Sequence, residues 1–149
     1  MQVRELMSDH VICCTPDTNL KDVAKLMVEH DCGDIPVIQD RDGRKLIGVI
    51  TDRDITCRAV AEGRNPLELT AQDCMSKPVV TVTPDTMLED CCHTMERNQI
   101  RRVPVVDKRG ACCGVVSQAD IARVASEARA GQVLREVSRQ TSAPSRGSA

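Results

Sequence analysis

Two short polar motifs place a hydroxyl group and a carboxylate at the same spacing in two parts of the sequence. Thr51 precedes Asp54 by three positions, and Ser117 precedes Asp120 in the same way. Residues three apart lie on one face of the first turn of a helix. There an ionised carboxylate can accept hydrogen bonds from both hydroxyls of a ribose, and the Thr or Ser hydroxyl can contact the ribose or a phosphate. A glycine before each motif, Gly48 in the first, would let a ligand approach the backbone, so the residues predict two sugar-binding sites.

The same residues also have a purely structural interpretation. Thr51 or Asp52 can cap a helix that begins here, since both residue types accept hydrogen bonds from the backbone N–H groups of a first helical turn. Asp54 would then only complement the partial positive charge of that helix terminus. One copy of the motif leaves both interpretations open, whereas its recurrence favours a ligand site.

The two motifs lie in a long internal repeat. Residues 7–18 match residues 75–86, and residues 48–55 match residues 114–121 after a short contraction in an intervening turn. A match of this extent is not chance, so the chain consists of two copies of one structural unit. One copy alone would bury little apolar surface, and we therefore expect the two to pack together.

Each copy has the pattern of a β-α-β-β-α unit. Apolar residues at helical spacing follow a Thr-Pro-Asp-Thr sequence, and two short apolar runs joined by a turn come next. In the first copy the predicted elements are a strand over 11–15, a helix capped by Asp17 or Thr18, a strand over 35–39, a turn at Asp42 and Gly43, a strand over 46–50, and a helix that ends near Gly63. A strand over 79–83 opens the second copy.

This order of elements, with Ile35-Pro36-Val37 and Val103-Pro104-Val105 in the second strands and the polar motifs after the third, resembles the CBS (cystathionine-β-synthase) domain family. The resemblance implies an α+β fold of two tandem β-α-β-β-α CBS repeats, a Bateman module, packed pseudo-symmetrically through their sheets. We place the first repeat at residues 1–64, the second at 69–128, and a C-terminal helix extension with a flexible tail at 129–149. The resemblance also implies a homodimer and a ligand such as AMP, ADP, ATP, NAD(H) or S-adenosylmethionine.

The resemblance further implies which residues form the two ligand clefts. Each cleft would use backbone groups of the first strand and of the apolar-Pro-Val strand, together with the side chains of its motif. Cleft 1 would consist of Cys14, Thr15, Ile35, Pro36, Val37, Thr51, Arg53 and Asp54, and cleft 2 of Val82, Thr83, Arg101, Arg102, Val103, Pro104, Val105, Ser117 and Asp120.

The two copies differ in charge immediately before the apolar-Pro-Val run. The first copy has Asp34 where the second has Arg102, which follows a further arginine, Arg101. A guanidinium group matches the oxygens of a phosphate, whereas a carboxylate repels them. We therefore predict that the arginine pair contacts ligand phosphates, a role that Arg53 or Arg58 would have in the first cleft. The alternative is a solvated surface of arginines.

The composition of the 149 residues argues against several other classes of protein. The formal net charge is −2, which gives no general attraction to nucleic acid or anionic membranes, and no Phe, Tyr or Trp is present to stack on single-stranded bases. We expect no nucleic-acid or membrane partner. The N-terminus lacks the layout of a signal peptide and no apolar run is long enough to span a bilayer, so we predict a cytoplasmic location.

Nine cysteines are a further unusual feature. Most of them align with apolar residues of the other copy, as expected for small hydrophobic side chains in a core. The sequence contains no Cys-x-x-Cys, and its histidines have no metal-ligand spacing, so we predict neither a metal site nor a disulfide framework. Cys13 and Cys57 align with Thr81 and Arg123 instead and are the candidates for a sensor thiol.

The motifs together predict a binding module. The sequence has no evident nucleophile–base pair, metal cluster or phosphate-binding loop, so we do not expect an enzyme. We predict a regulatory module in signal transduction that binds an adenosine-type effector, senses nucleotide state and modulates a partner protein. Two alternatives stay open: a structural or dimerising adaptor with empty clefts, and a thiol or metal sensor.

Overall fold

The computed structural model describes residues 1–139, which form two compact units. The unit that carries the first polar motif consists of residues 12–79 and is called the first-motif unit. The second-motif unit consists of residues 80–139 together with residues 1–11. The predicted flexible tail, residues 141–149, lies outside the described residues.

The two units are not composed of whole sequence repeats. Residues 1–11 stand at the start of the first repeat but belong to the second-motif unit. Backbone hydrogen bonds hold them there: the Val3 N–H donates to the Thr86 carbonyl at 2.8 Å, and Ser8 and Val115 each donate to the other's carbonyl at 2.9 Å. These bonds join residues far apart in the chain, so the repeat pattern alone does not reveal them.

The first-motif unit combines a two-stranded sheet with helices. Its elements are α1 (Leu20–His30), β1 (Asp34–Ile38), β2 (Leu46–Thr51), α2 (Asp52–Ile55), a π-helical segment (Thr56–Val60), a 3-10 turn (Pro66–Glu68) and α3 (Ala71–Cys74). β1 and β2 are antiparallel, and their register pairs Asp34 with Thr51. The turn between them is closed by the Asp40 side chain, which accepts a hydrogen bond from the Gly43 N–H at 2.7 Å.

The second-motif unit repeats this arrangement and adds one helix. Its elements are a 3-10 turn (Val3–Glu5), α4 (Leu88–Asn98), β3 (Arg102–Val106), β4 (Cys112–Ser117), α5 (Gln118–Val124) and α6 (Glu127–Val137). The antiparallel register of β3 and β4 pairs Arg102 with Ser117. The repeated helix–strand–strand–helix order confirms the predicted α+β class, and α6 follows it.

The predicted first strand of each copy is reduced to a single bridge. Cys14 pairs with Val37 in a parallel bridge, in which its N–H donates to the Pro36 carbonyl at 3.0 Å. The chain then turns away, because the Thr15 N–H donates to Thr18 Oγ1 at 3.0 Å. The second copy has the corresponding bridge between Val82 and Val105. The predictions of strands over 11–15 and 79–83 were therefore wrong in extent.

The predicted cap of the first helix was also wrong. Asn19 caps α1, since its side chain accepts a hydrogen bond from the Asp22 N–H at 3.0 Å. The predicted caps, Asp17 and Thr18, instead accept hydrogen bonds inside the preceding turn, where the Thr15 hydroxyl donates to Asp17 Oδ1 at 2.5 Å. At the other end of this unit, the helix after β2 ends as predicted near Gly63, which has a left-handed φ of 74°.

Candidate functional site

Asp54 is fully buried at the start of α2, where it forms a reciprocal capping box with Thr51. The Thr51 N–H donates to Asp54 Oδ2 at 2.9 Å, and the Asp54 N–H donates to Thr51 Oγ1 at 2.9 Å. The Ser76 hydroxyl donates to Asp54 Oδ1 at 3.3 Å, so both carboxyl oxygens have a partner inside the unit. Burial raises the pKa of Asp54 above its ordinary value, although the bonds from Thr51 and Ser76 and the charge of Arg58 oppose the rise. In this arrangement the capping interpretation of the motif holds, and neither oxygen of Asp54 faces solvent.

The second motif has the same capping box in a more open setting. The Ser117 N–H donates to Asp120 Oδ2 at 2.8 Å, and the Asp120 N–H donates to Ser117 Oγ at 3.1 Å. Asp120 Oδ1 accepts from the guanidinium of Arg123 at 2.8 Å instead of from a serine. The side chain of Asp120 is 14% exposed and that of Arg123 is 71% exposed. A dissolved ligand can therefore reach this carboxylate by displacing a surface arginine.

The glycine before each motif is required by the protein's own chain. A Cβ atom on Gly48 would lie 2.9 Å from Met75 Sδ and 3.2 Å from the Ser76 carbonyl oxygen, and one on Gly114 would lie 2.8 Å from Met7 Sδ. Both contacts are too close for a side chain to be accepted without movement. The expectation that this glycine admits a ligand was wrong, because a neighbouring segment occupies the space in each unit.

Cross-strand pairing places charges of opposite sign beside the two motifs. Asp34 lies directly opposite Thr51 in the β1–β2 ladder, and Arg102 lies directly opposite Ser117 in the β3–β4 ladder. Directly opposed residues project their side chains from the same face of a sheet, with Cβ atoms about 5 Å apart. Each unit therefore sets one charged residue beside its motif hydroxyl, an acid in the first and a base in the second. Arg101, the other predicted phosphate ligand, is exposed immediately before β3.

The apolar residues predicted to line the clefts supply no exposed side chains. Ile35 and Val37 in the first-motif unit, and Val103 and Val105 in the second, have no exposed surface. Pro36 and Pro104 are also buried, and their carbonyl oxygens accept the bridge hydrogen bonds from Cys14 and Val82. Of the predicted residues on the segments that precede these strands, Thr15 is half-buried and Thr83 is exposed.

The two arginines considered for phosphate contacts in the first-motif unit differ in their surroundings. Arg53 is exposed on α2. Arg58 Nη1 instead donates to the carbonyl oxygens of Cys74 at 3.2 Å and Met75 at 2.8 Å. Carbonyl groups at the end of a helix have no donor within that helix, and the guanidinium of Arg58 satisfies two of them at the end of α3. Arg58 therefore has a structural role at the end of α3.

Three polar residues near the motifs were not predicted from the sequence. Ser76 and Arg123 supply the second partner of Asp54 and Asp120, respectively. Gln118 follows Ser117, and its Oε1 is buried without a hydrogen-bond partner among residues 1–139. A buried acceptor without a donor is costly, so this oxygen marks a place where a ligand donor would be stabilising. The repeated Met-Ser pair at 7–8 and 75–76 was the one available signal for Ser76.

The cysteines behave as core residues in most cases. Cys14, Cys74, Cys91 and Cys92 have no exposed surface. Burial raises the pKa of Cys14 and of Cys91 to about 12, with a smaller contribution from the neighbouring thiol. These thiols are therefore protonated and unreactive at neutral pH. Of the two sensor candidates, Cys13 is buried and Cys57 is half-buried.

Residues 1–139 contain no group of three or more His, Cys, Asp or Glu side chains placed to hold a metal ion. No helix among them is long and apolar enough to cross a membrane.

The family model of the CBS domain matches the chain twice, at residues 3–59 and 71–127. Each match contains one hydroxyl–carboxylate motif. Among curated relatives, the uncharacterised protein MK0525 of Methanopyrus kandleri is 36% identical over 124 residues, which are 83% of this chain and 62% of the relative. The chain thus spans less than two thirds of that relative's length.

Two solved structures share the fold and bind different ligands. Hypoxic Response Protein I with two coordinated zinc ions has a TM-score of 0.75 and 33% identity, covering 85% of this chain and all of that one. The CBS domain pair of protein MJ0100 in complex with 5′-methylthioadenosine and S-adenosyl-L-methionine has a TM-score of 0.72 and 28% identity, covering 83% and 98% of the two chains.

Proposed function

The chain belongs to the CBS domain family, and we propose that it is a regulatory module that binds an adenosine-type ligand at its second motif. One observation carries the proposal: Asp120 is partly exposed in its capping box while Arg102 stands directly across the ladder from Ser117. A carboxylate suits the hydroxyls of a ribose, and a guanidinium suits a phosphate. Both groups adjoin Ser117, so the second motif offers one partner for a ribose and one for a phosphate.

The charges around the second motif favour a phosphorylated ligand. Arg101, Arg102 and Arg123 are all exposed near the Ser117–Asp120 box. Their combined charge attracts anions, and the N-terminus of α5 adds partial positive charge. AMP, ADP, ATP and NAD(H) all carry phosphates, whereas S-adenosylmethionine carries a sulfonium. We therefore favour a nucleotide.

The orphaned oxygen of Gln118 supports the same location. Its Oε1 lies one residue after the motif hydroxyl and is buried without a donor among the described residues. An adenine amino group or a ribose hydroxyl can donate to such an oxygen. Because an unsatisfied buried acceptor costs about 1–3 kcal/mol, a ligand that satisfies it would gain a corresponding part of its binding energy.

The first motif is proposed as a second, weaker site. A ribose can replace the Ser76 hydroxyl on Asp54 Oδ1 only if the carboxyl turns outward from its buried position. Asp34 and Asp52 nearby would also repel a phosphate. We therefore expect a nucleotide to fill the second-motif unit at lower concentration than the first-motif unit.

The likeness to the MJ0100 domain pair supports the adenosine class of ligand, since that protein binds two adenosine derivatives. We propose that binding orders the second-motif cleft and biases a partner protein, and that the chain forms a homodimer with no catalytic activity of its own. If no adenosine derivative binds, the alternative is that the chain is a structural scaffold with empty clefts. The zinc ions of Hypoxic Response Protein I favour a metal sensor as the second candidate function.

Calorimetric titration with adenosine and AMP tests the proposed phosphate contact. We expect Arg102→Ala to weaken AMP binding about tenfold, because a charged hydrogen bond contributes about 1.5–3 kcal/mol and this one is partly exposed. Adenosine binding should not change. Arg109→Ala, an exposed arginine in the β3–β4 turn, is the matched control. Equal losses for both ligands with Arg102→Ala would refute the phosphate role.

A further inference from the structure

One carboxyl oxygen of Asp120 is occupied by an arginine of the same helix. Arg123 Nη1 donates to Asp120 Oδ1 at 2.8 Å, whereas the other oxygen, Oδ2, accepts the Ser117 N–H of the capping box. Arg123 follows Asp120 by three positions on α5, a spacing that places both side chains on one face of the helix. A ribose that binds Asp120 Oδ1 must therefore displace this guanidinium.

The two units fill this oxygen position differently. In the first-motif unit Asp54 Oδ1 accepts from the Ser76 hydroxyl at 3.3 Å, and the residue that aligns with Arg123 is Cys57. The next residue, Arg58, donates to backbone carbonyls at the end of α3. A charged side chain on the motif carboxylate thus distinguishes the second motif from the first.

The serine that corresponds to Ser76 is nevertheless present in the second-motif unit. Ser8 exchanges two backbone hydrogen bonds with β4, both of 2.9 Å, and Ser76 exchanges two with β2, of 2.8 and 3.1 Å. The segments that carry the two serines therefore lie against their strands in the same way. The pairing of Asp120 with Arg123 is a feature of the second motif itself and does not result from a missing segment.

The exposure of the pair makes it exchangeable. The side chain of Arg123 is 71% exposed, and an ion pair with so exposed a member is weak. A neutral adenosine that takes Asp120 Oδ1 leaves the guanidinium without its anionic partner. A nucleotide carries a phosphate on the same ribose, and this phosphate gives the displaced guanidinium a new partner of matching geometry. The cost of displacing Arg123 therefore falls on ligands that have no phosphate.

We propose that Arg123 competes with the ligand for Asp120 and thereby makes the second-motif site select anionic adenosine derivatives over neutral or cationic ones. The inference rests on the proposed function, because it concerns the same site. The role of Arg123 differs from that of Arg102, which would contact the phosphate without competing for the carboxylate. Loss of Arg102 should therefore affect AMP alone, whereas loss of Arg123 should also change the affinity for adenosine.

Calorimetric titration of the full chain with adenosine and with AMP tests the inference. We expect Arg123→Ala to bind adenosine about threefold more tightly than the native protein, because the competing exposed ion pair is gone. AMP should gain nothing, because this variant loses the competitor and the phosphate partner together. The preference for AMP over adenosine should thus fall about threefold. Arg123→Lys keeps the charge and should restore most of the native preference.

The controls separate the failure of this inference from the failure of the proposed function. Arg135→Ala, which removes an exposed arginine of α6, should change neither affinity. An unchanged adenosine affinity of Arg123→Ala, or an equal gain for adenosine and AMP, would overturn the inference while AMP binding to the native protein upholds the proposed function. Failure of the native protein to bind AMP would overturn both.

Discussion

Replacement of the two motif aspartates by alanine should have very different effects on stability. Asp54→Ala removes a carboxyl with no exposed surface and leaves the Thr51 N–H and the Ser76 hydroxyl without their acceptor. Loss of the Asp54 half of the capping box costs about 1 kcal/mol, and an unsatisfied buried donor costs about 1–3 kcal/mol. We therefore expect a total destabilisation of about 2–4 kcal/mol.

Asp120→Ala should cost about 1 kcal/mol, the value for its half of the capping box alone. Its side chain is already partly exposed, so water can reach the freed Ser117 N–H. The lost pairing with Arg123, which is 71% exposed, contributes little because exposed ion pairs are worth about 0–1 kcal/mol.

Urea unfolding followed by far-ultraviolet circular dichroism measures both values, since the chain has no aromatic residue for fluorescence. Asp54→Asn is the matched control, because its amide oxygen can still accept the Thr51 N–H and should recover more than half of the loss. A cost for Asp54→Ala no greater than that for Asp120→Ala would show that Asp54 is not the buried capping-box residue described above.

Three further predictions concern charge and thiol chemistry. Because burial raises the pKa of Asp54, the folded state binds the proton of this carboxyl more tightly than the unfolded state, and the contribution of Asp54 to stability falls as pH rises from about 3.8 through the raised pKa. The free energy of urea unfolding of Asp54→Asn should lack this slope over the same pH range. Parallel pH dependence in the native protein and Asp54→Asn would contradict the assignment of the slope to Asp54. Arg129→Ala should cost about 2 kcal/mol and speed amide exchange in α6, because its partner Glu96 is left largely buried with only the exposed His93 beside it. Arg135→Ala, an exposed residue of α6, should change neither. Thiol titration of the native protein should label Cys57 well before Cys14 and Cys91, and zinc analysis of the same sample should find none. Equal labelling rates would contradict the burial of Cys14 and Cys91, and stoichiometric zinc would favour the metal-sensor function.

Local patterns predicted the parts of the fold that local interactions determine. The hydroxyl–carboxylate spacing of Thr51 and Asp54 forms a capping box at the predicted helix start, and Ser117 and Asp120 do the same. The short apolar runs at Ile35-Pro36-Val37 and Val103-Pro104-Val105 correctly predicted buried strands. Each of these features depends on residues within about one turn or one strand, which the sequence displays directly.

The remaining features depend on contacts between distant residues. The Ser76 hydroxyl reaches Asp54 across 22 positions, and this bond turns a predicted ligand contact into a buried interaction. The close approach of Met75 explains Gly48, which the sequence alone suggested was a ligand contact. The predicted strand at Cys14 is shortened by a Thr15–Thr18 turn that competes with it. The repeat pattern shows which residue types recur in the two copies. The contacts of Asp54, Gly48 and Cys14 depend instead on which distant segment of the chain packs beside each of them.

The most direct test of the account asks whether Asp120 holds the two hydroxyls of a ribose. Calorimetry should compare AMP with its 2′-deoxy and 3′-deoxy analogues on the native protein and on Asp120→Ala. We predict that loss of either hydroxyl weakens binding to the native protein about tenfold, as for a hydrogen bond to a charged group, and has almost no further effect on Asp120→Ala. Equal affinity of the native protein for all three nucleotides would contradict the account.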